Sequence, residues 1–128
     1  MQDEPTPTEL LNAVAEFLRN DIAPKISGAA AFKLRVATNA IDLVVRQLEL
    51  SEPRAADELT RLAKLLGENG SLLDLNRKLA ASIAAGEVDL RTPGLADHLW
   101  QSTMDKLAVD QPNYASYRRE LERDKTAN

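Results

Sequence analysis

The chain has 128 residues, a net charge of −4, no cysteine and 4% aromatic residues. The lack of cysteine excludes disulfides and thiolate chemistry, and the negative balance speaks against a protein that tracks a nucleic-acid backbone with clustered Lys and Arg. Leucine and alanine dominate while β-branched residues are sparse, which favours helix because unbranched side chains lose little rotamer freedom there.

Met1-Gln2-Asp3-Glu4-Pro5 is acidic and has no apolar core, unlike a signal peptide. No apolar run approaches the ~20 residues that cross a bilayer. The expectation is a cytoplasmic protein with no membrane and no nucleic-acid partner.

Thr6-Pro7-Thr8-Glu9 reads as a helix start, with Thr6 as cap, Pro7 at the first helical position and Glu9 completing a capping box. Leu10, Leu11, Val14, Phe17 and Leu18 follow as a helical apolar stripe. Pro24 and Gly28 separate this helix from the next. The second helix is expected from about Ala30 to Leu50, with Leu34, Ala37, Ile41, Val44 and Leu48 as its seam. Val36, Ala40, Leu43 and Val45 extend apolar character round the helix, which argues for a central rod touched by several neighbours. Ser51-Glu52-Pro53 reads as a break, and Pro53 as the start of a third helix to Leu66.

That third helix should bury Leu59, Leu62, Ala63 and Leu66 and leave Asp57 and Arg61 as an i,i+4 pair on its wet side. Gly67 suits a left-handed position after it. Ser71 and Asp74 open a fourth helix whose buried face is Leu72, Leu75, Leu79 and Ile83, ended by Gly86. Thr92-Pro93 announces a fifth, with Gly94 in its first turn. Leu95, Leu99, Thr103 and Leu107 mark one edge of its inner face, beside Trp100 and Met104. Pro112 stops it, and Asn113 to Asp124 forms a short helix that frays before Lys125. No sustained period-two alternation competes. Short connections between such helices imply an all-α, single-domain antiparallel bundle of five or six helices. Its core spans residues 5–115, and residues 116–128 form a charged, partly frayed tail.

The leading site candidate is a polar line on the second helix: Arg35, Asn39, Asp42, Arg46 and Glu49, in a +4, +3, +4, +3 rhythm that sets all five on one stripe. Arginines so placed can grip an anion or a partner's carboxylate, because the guanidinium fork gives paired hydrogen bonds and stays charged. The alternative is an ordinary wet face with Asp42 and Arg46 paired at i,i+4. Asn39 fits that alternative least, being a poor helix former. A second cluster is Lys106, Asp110 and Tyr114, four residues apart but straddling Pro112. It reads either as part of a site or as a helix end with an aromatic anchor.

His98 is the only histidine, and no serine, cysteine or second histidine stands at motif spacing beside it. The expectation is a surface or cap-adjacent residue, with no catalytic residues assigned. HExxH, cysteine pairs and twelve-residue calcium loops are missing, as are glycine-rich phosphate cradles, so no metal and no cofactor is expected.

Leu34-Arg35-Val36-Ala37-Thr38-Asn39-Ala40, then Val45-Arg46-Gln47-Leu48-Glu49-Leu50, then Lys106-Leu107-Ala108-Val109-Asp110-Gln111-Pro112-Asn113-Tyr114 resemble a family of small bacterial helical proteins of unknown function. Its members share Arg-Val-Ala-x-Asn-Ala, Arg-x-Leu-Glu-Leu and Lys-Leu-Ala-Val-Asp-x-Pro-x-Tyr, and an opening similar to Pro5-Thr6 through Leu11. The resemblance covers roughly residues 5–115. It implies genomic neighbours that include an aminoglycoside-phosphotransferase-like kinase and acyl-CoA dehydrogenases, and hence a companion role in acyl-CoA-related metabolism.

Two functions from different classes follow as expectations. One is an accessory module that binds a protein, either the kinase-like neighbour or a second copy of itself. The other is a binder of a small anionic molecule, or a modest enzyme, with Arg35, Asn39, Arg46 and Lys106 in a pocket between the second and fifth helices.

Overall fold

A computed structural model describes residues 3–126. Met1 and Gln2, the start of the acidic stretch, and Ala127 and Asn128, the end of the charged tail, lie outside the described residues. The protein is all-α: five α-helices, α1 Pro7–Phe17, α2 Gly28–Leu66, α3 Leu72–Ala84, α4 Leu95–Asp110 and α5 Ala115–Thr126, with no strand among the described residues. A π-helical turn, Leu18–Ile22, and a 3-10 turn, Ala23–Lys25, join α1 to α2.

The local start and stop signals act as their residue types dictate. Thr6 Oγ1 accepts the Glu9 N–H at 3.3 Å while Glu9 Oε2 accepts the Thr6 N–H at 2.7 Å, so two orphan donors are satisfied reciprocally. The backbone and hydroxyl bonds from Thr6 hold the Glu9 carboxyl below its usual range. Ser71 Oγ likewise accepts the Asp74 N–H at 3.1 Å at the start of α3. Gly67 takes φ +70°, and its N–H closes on the Ala63 carbonyl at 2.9 Å, a left-handed stop that a Cβ would strain.

Pro53 does not end a helix. It lies inside α2, which runs unbroken for 39 residues where two helices were expected. Proline removes one donor and crowds the carbonyl four residues earlier, that of Glu49, but does not forbid helical φ. The chain folds into two compact units that divide between Ser51 and Glu52, within the turn that proline weakens.

In the first unit, α1 and the early part of α2 enclose little. Ala15, Thr38 and Val45 are buried, and Ala31, Leu34 and Ile41 are half-buried in line with the last two. The apolar stripe expected to be the inner face of α1 is mostly outside: Leu10, Val14 and Phe17 are exposed, with Leu11 and Leu18 half-buried. On α2, Phe32, Val36, Leu43, Val44 and Leu48 are exposed too. The expected central rod is therefore a helix covered along one strip. A single neighbouring helix can bury only one stripe of another, whatever the rest of the circumference carries.

The second unit has a conventional core. Leu62 from α2, Leu75 and Leu79 from α3 and Leu95 from α4 form one buried cluster, with Leu59, Leu65, Leu66, Leu72 and Val88 packed against it. Leu62 is fully buried, and truncating such a leucine to alanine costs about 2–5 kcal/mol. Ile83, expected in this core, is exposed. On α5, Tyr117 is buried and the helix continues through Thr126.

Candidate functional site

The stripe on α2 is intact as a helical line but is engaged unequally. Arg35, Asn39 and Glu49 are exposed, whereas Asp42 and Arg46 are half-buried. Asp42 forms an ion pair with Arg19 from the π-helical turn after α1. The same Arg19 donates from Nη2 to the Thr38 carbonyl at 3.4 Å, and Thr38 Oγ1 donates to the Arg35 carbonyl at 3.0 Å. Arg19 and Thr38 thus stitch α2 to the segment after α1, through groups that sequence pattern did not single out. Thr38 belongs to the inner strip, 3% exposed, one turn from Leu34 and Ile41 and two from Ala31, whereas Arg19 reaches it from an exposed position.

Lys106, Asp110 and Tyr114 lie in the second unit. Lys106 and Asp110 are exposed on α4, and Tyr114 is exposed just before α5. Tyr114 borders a recess of about 220 Å³ together with Trp100, Met104, Leu107 and Tyr117. Thr103, Ser116 and Glu120 line the same recess, so the Tyr114 ring borders a surface of mixed polarity.

The charged arrangement that sequence reasoning missed is built around Asp105. Its Oδ1 accepts from Arg54 Nη1 at 3.2 Å and Gln101 Nε2 at 3.1 Å, and its Oδ2 accepts from Arg61 Nη2 at 3.3 Å. Arg54 Nη1 also donates to the Asp105 carbonyl at 3.0 Å. Two arginines on α2 therefore converge on one carboxylate of α4. Arg61 does not stand on a wet face paired with Asp57, as i,i+4 spacing had suggested. It is half-buried and turned to α4.

Of the two settings expected for His98, surface or cap-adjacent, burial overturns the first: it is 3% exposed, its N–H donates to the carbonyl of the Gly94 cap at 3.0 Å, and it lies one helical turn after Leu95, which belongs to the core. Its Nδ1 has no hydrogen-bond partner. Burial, then the nearby Arg61 charge, push its pKa below the ordinary histidine value, and Glu58 opposes that shift. The inner face of α4 follows from these contacts. Leu95, His98, Ser102, Asp105 and Val109 are buried or half-buried in a +3, +4, +3, +4 rhythm, while Leu99 and Trp100 are exposed. The rhythm was available in the sequence, but three of its five members are polar, and the hydrophobic pattern pointed elsewhere.

The start of α4 also departs from expectation. Thr92 Oγ1 accepts the Asp89 N–H at 3.1 Å and so closes the preceding turn. Gly94, at φ +86°, is the residue that caps α4, and no side chain satisfies the helix start. Among the described residues, no group of three or more His, Asp or Glu side chains is placed to hold a metal ion.

These features define an all-helical protein whose charged side chains tie neighbouring helices together within each unit. The chain belongs to the family described as a domain of unknown function, DUF6285, whose model matches residues 24–114. That span includes both polar clusters and ends before α5. No curated protein and no solved structure matches the chain.

Proposed function

We propose that the chain is an accessory protein-interaction module, and that its partner is the kinase-like phosphotransferase which the family resemblance sets beside it, in acyl-CoA-related metabolism. The observation that carries this reading is a line of exposed apolar residues on α2. Phe32, Val36 and Leu43 are 59%, 52% and 38% exposed and follow one another at i, i+4 and i+11. Asn39 falls within the same line, and the exposed Arg35 borders it. Single exposed apolar residues are normal, but a helical row of them is how an amphipathic helix meets a partner's groove. The polar residues beside it then supply a hydrated rim that sets register. On α1, Leu10, Val14 and Phe17 repeat the pattern at +4 and +3.

The test is reconstitution with the kinase-like neighbour. The two proteins should form a measurable complex by calorimetry, and Val36→Asp combined with Leu43→Asp should weaken it at least about tenfold. Because both positions are exposed, the melting temperature of the isolated chain should not fall. Absence of a complex, or equal affinity in the double variant, overturns the reading.

A further inference from the structure

The second unit contains a recess of about 260 Å³ at the N-terminus of α4. Three independent features converge there. The first is the uncapped helix start: the Leu95 N–H reaches the Thr92 carbonyl at 3.2 Å and the His98 N–H reaches Gly94 at 3.0 Å. Among the described residues the Ala96 and Asp97 N–H groups between them have no acceptor, and no side chain caps the helix. Such a terminus carries roughly half a positive charge and presents N–H donors outward.

The second feature is His98. It lines the recess, is more than nine-tenths buried, and its Nδ1 is left without any hydrogen bond. A buried polar nitrogen with no partner costs free energy, and such orphans are rare in native proteins. The third is cationic. Lys64 lines the recess and forms no ion pair among the described residues. Arg61 lines it too; although its Nη2 bonds Asp105, its Nε is buried and unsatisfied.

We infer that this recess binds a small oxyanion, the phosphate group of a low-molecular-weight phosphoester, held by the α4 N-terminus, Lys64, Arg61 and His98. Leu65 and Pro93 give it an apolar wall. The volume admits a phosphate with a short organic substituent and is smaller than a typical drug-sized site of ~300–1,000 Å³. Asp97 also lines the recess, and its carboxylate opposes a second negative charge. That favours a neutral substituent on the phosphate over a carboxylated one. The site lies in a different unit from the apolar row on α2, so it does not depend on the interaction reading.

The single histidine makes the test unambiguous, because one imidazole signal reports one place. Inorganic phosphate is titrated into the full-length protein at constant ionic strength, with chloride as the reference anion, and the His98 ring resonances are followed by NMR. A saturable shift with phosphate and none with chloride is expected. Lys64→Ala, at an exposed position, should weaken the apparent affinity at least about threefold while leaving the melting temperature unchanged. Replacing phosphate by glycerol phosphate should give the same shift at equal or lower concentration, and acetate should give a weaker one. The inference is overturned by a His98 signal that does not move, by a shift that rises without saturation, or by identical titrations in wild type and Lys64→Ala.

Discussion

At the scale of single residues, the second unit concentrates its polar chemistry on the inner face of α4. Asp105 gathers Arg54, Arg61 and Gln101, and two turns away His98 is buried with its Nδ1 unbonded. Histidine in that setting makes stability depend on pH in a defined direction. Its folded-state pKa is lowered, by burial first and the Arg61 charge second, so the unfolded chain binds the proton more readily. The stabilisation is complete above the unfolded value of about 6.5 and declines as pH falls below it. The charged groups around the ring are Arg61, Lys64 and Glu58 from α2 and Asp97 from α4 itself. Chemical denaturation between pH 7.5 and 5.5 should show falling stability in the wild type and a flatter profile in His98→Gln. Equal slopes would contradict the assignment, whatever the absolute stability of the variant.

The residue-level features that were legible in the sequence are those set by three or four consecutive positions. The Thr6–Glu9 box, the Ser71 cap on Asp74 and the Gly67 stop are closed by neighbours along the chain, so their residue types suffice. Asp105 and His98 take their character from α2, more than thirty residues away in sequence. Periodicity alone assigns a polar residue to the wet side, and here the wet-looking side is the inner one.

At the scale of elements, α2 is the main departure. A proline preceded by Ser51-Glu52 reads as the boundary of a helix, yet the helix passes through it. The donors and carbonyls on either side of Pro53 remain in helical register, and only the bond to the Glu49 carbonyl is lost. That turn is also where the two units divide. Pro53→Ala restores the missing donor and relieves the ring's crowding, while making the unfolded chain freer by about 0.4–1 kcal/mol. Since proline in a helix interior costs about 3 kcal/mol relative to alanine, the variant should be more stable by about 2–2.5 kcal/mol. Equilibrium denaturation would show this as a higher midpoint, with an unchanged or lower midpoint contradicting a continuous helix through residue 53. The start of α4 is a second case. Thr92-Pro93 carries a cap-then-proline signal, but Thr92 spends its hydroxyl on Asp89, and the helix begins after Gly94 with its first N–H groups open.

At the scale of the whole molecule, the helical class was legible because composition and 3.6-residue periodicity are properties of the chain itself. No helix is long and apolar enough to cross a membrane. What periodicity does not report is how many neighbours each helix acquires. The apolar positions of the Phe32–Leu50 segment are real, but α1 covers one strip, and Phe32, Val36 and Leu43 are left outside. The polar stripe of Arg35, Asn39, Asp42 and Arg46 divides accordingly, its inner member Asp42 bound to Arg19 and its outer members Arg35 and Asn39 beside the apolar row. The family match over residues 24–114 contains that row and stripe entire.

The claim that this face of α2 receives a protein partner is tested most directly by hydrogen–deuterium exchange on the chain alone and mixed with the kinase-like phosphotransferase. The account predicts slower exchange in the complex for peptides covering Phe32 to Leu43, with the segment from Leu95 to Thr126 little changed. Protection confined to that later segment, with residues 32–43 exchanging as in the free chain, would contradict it.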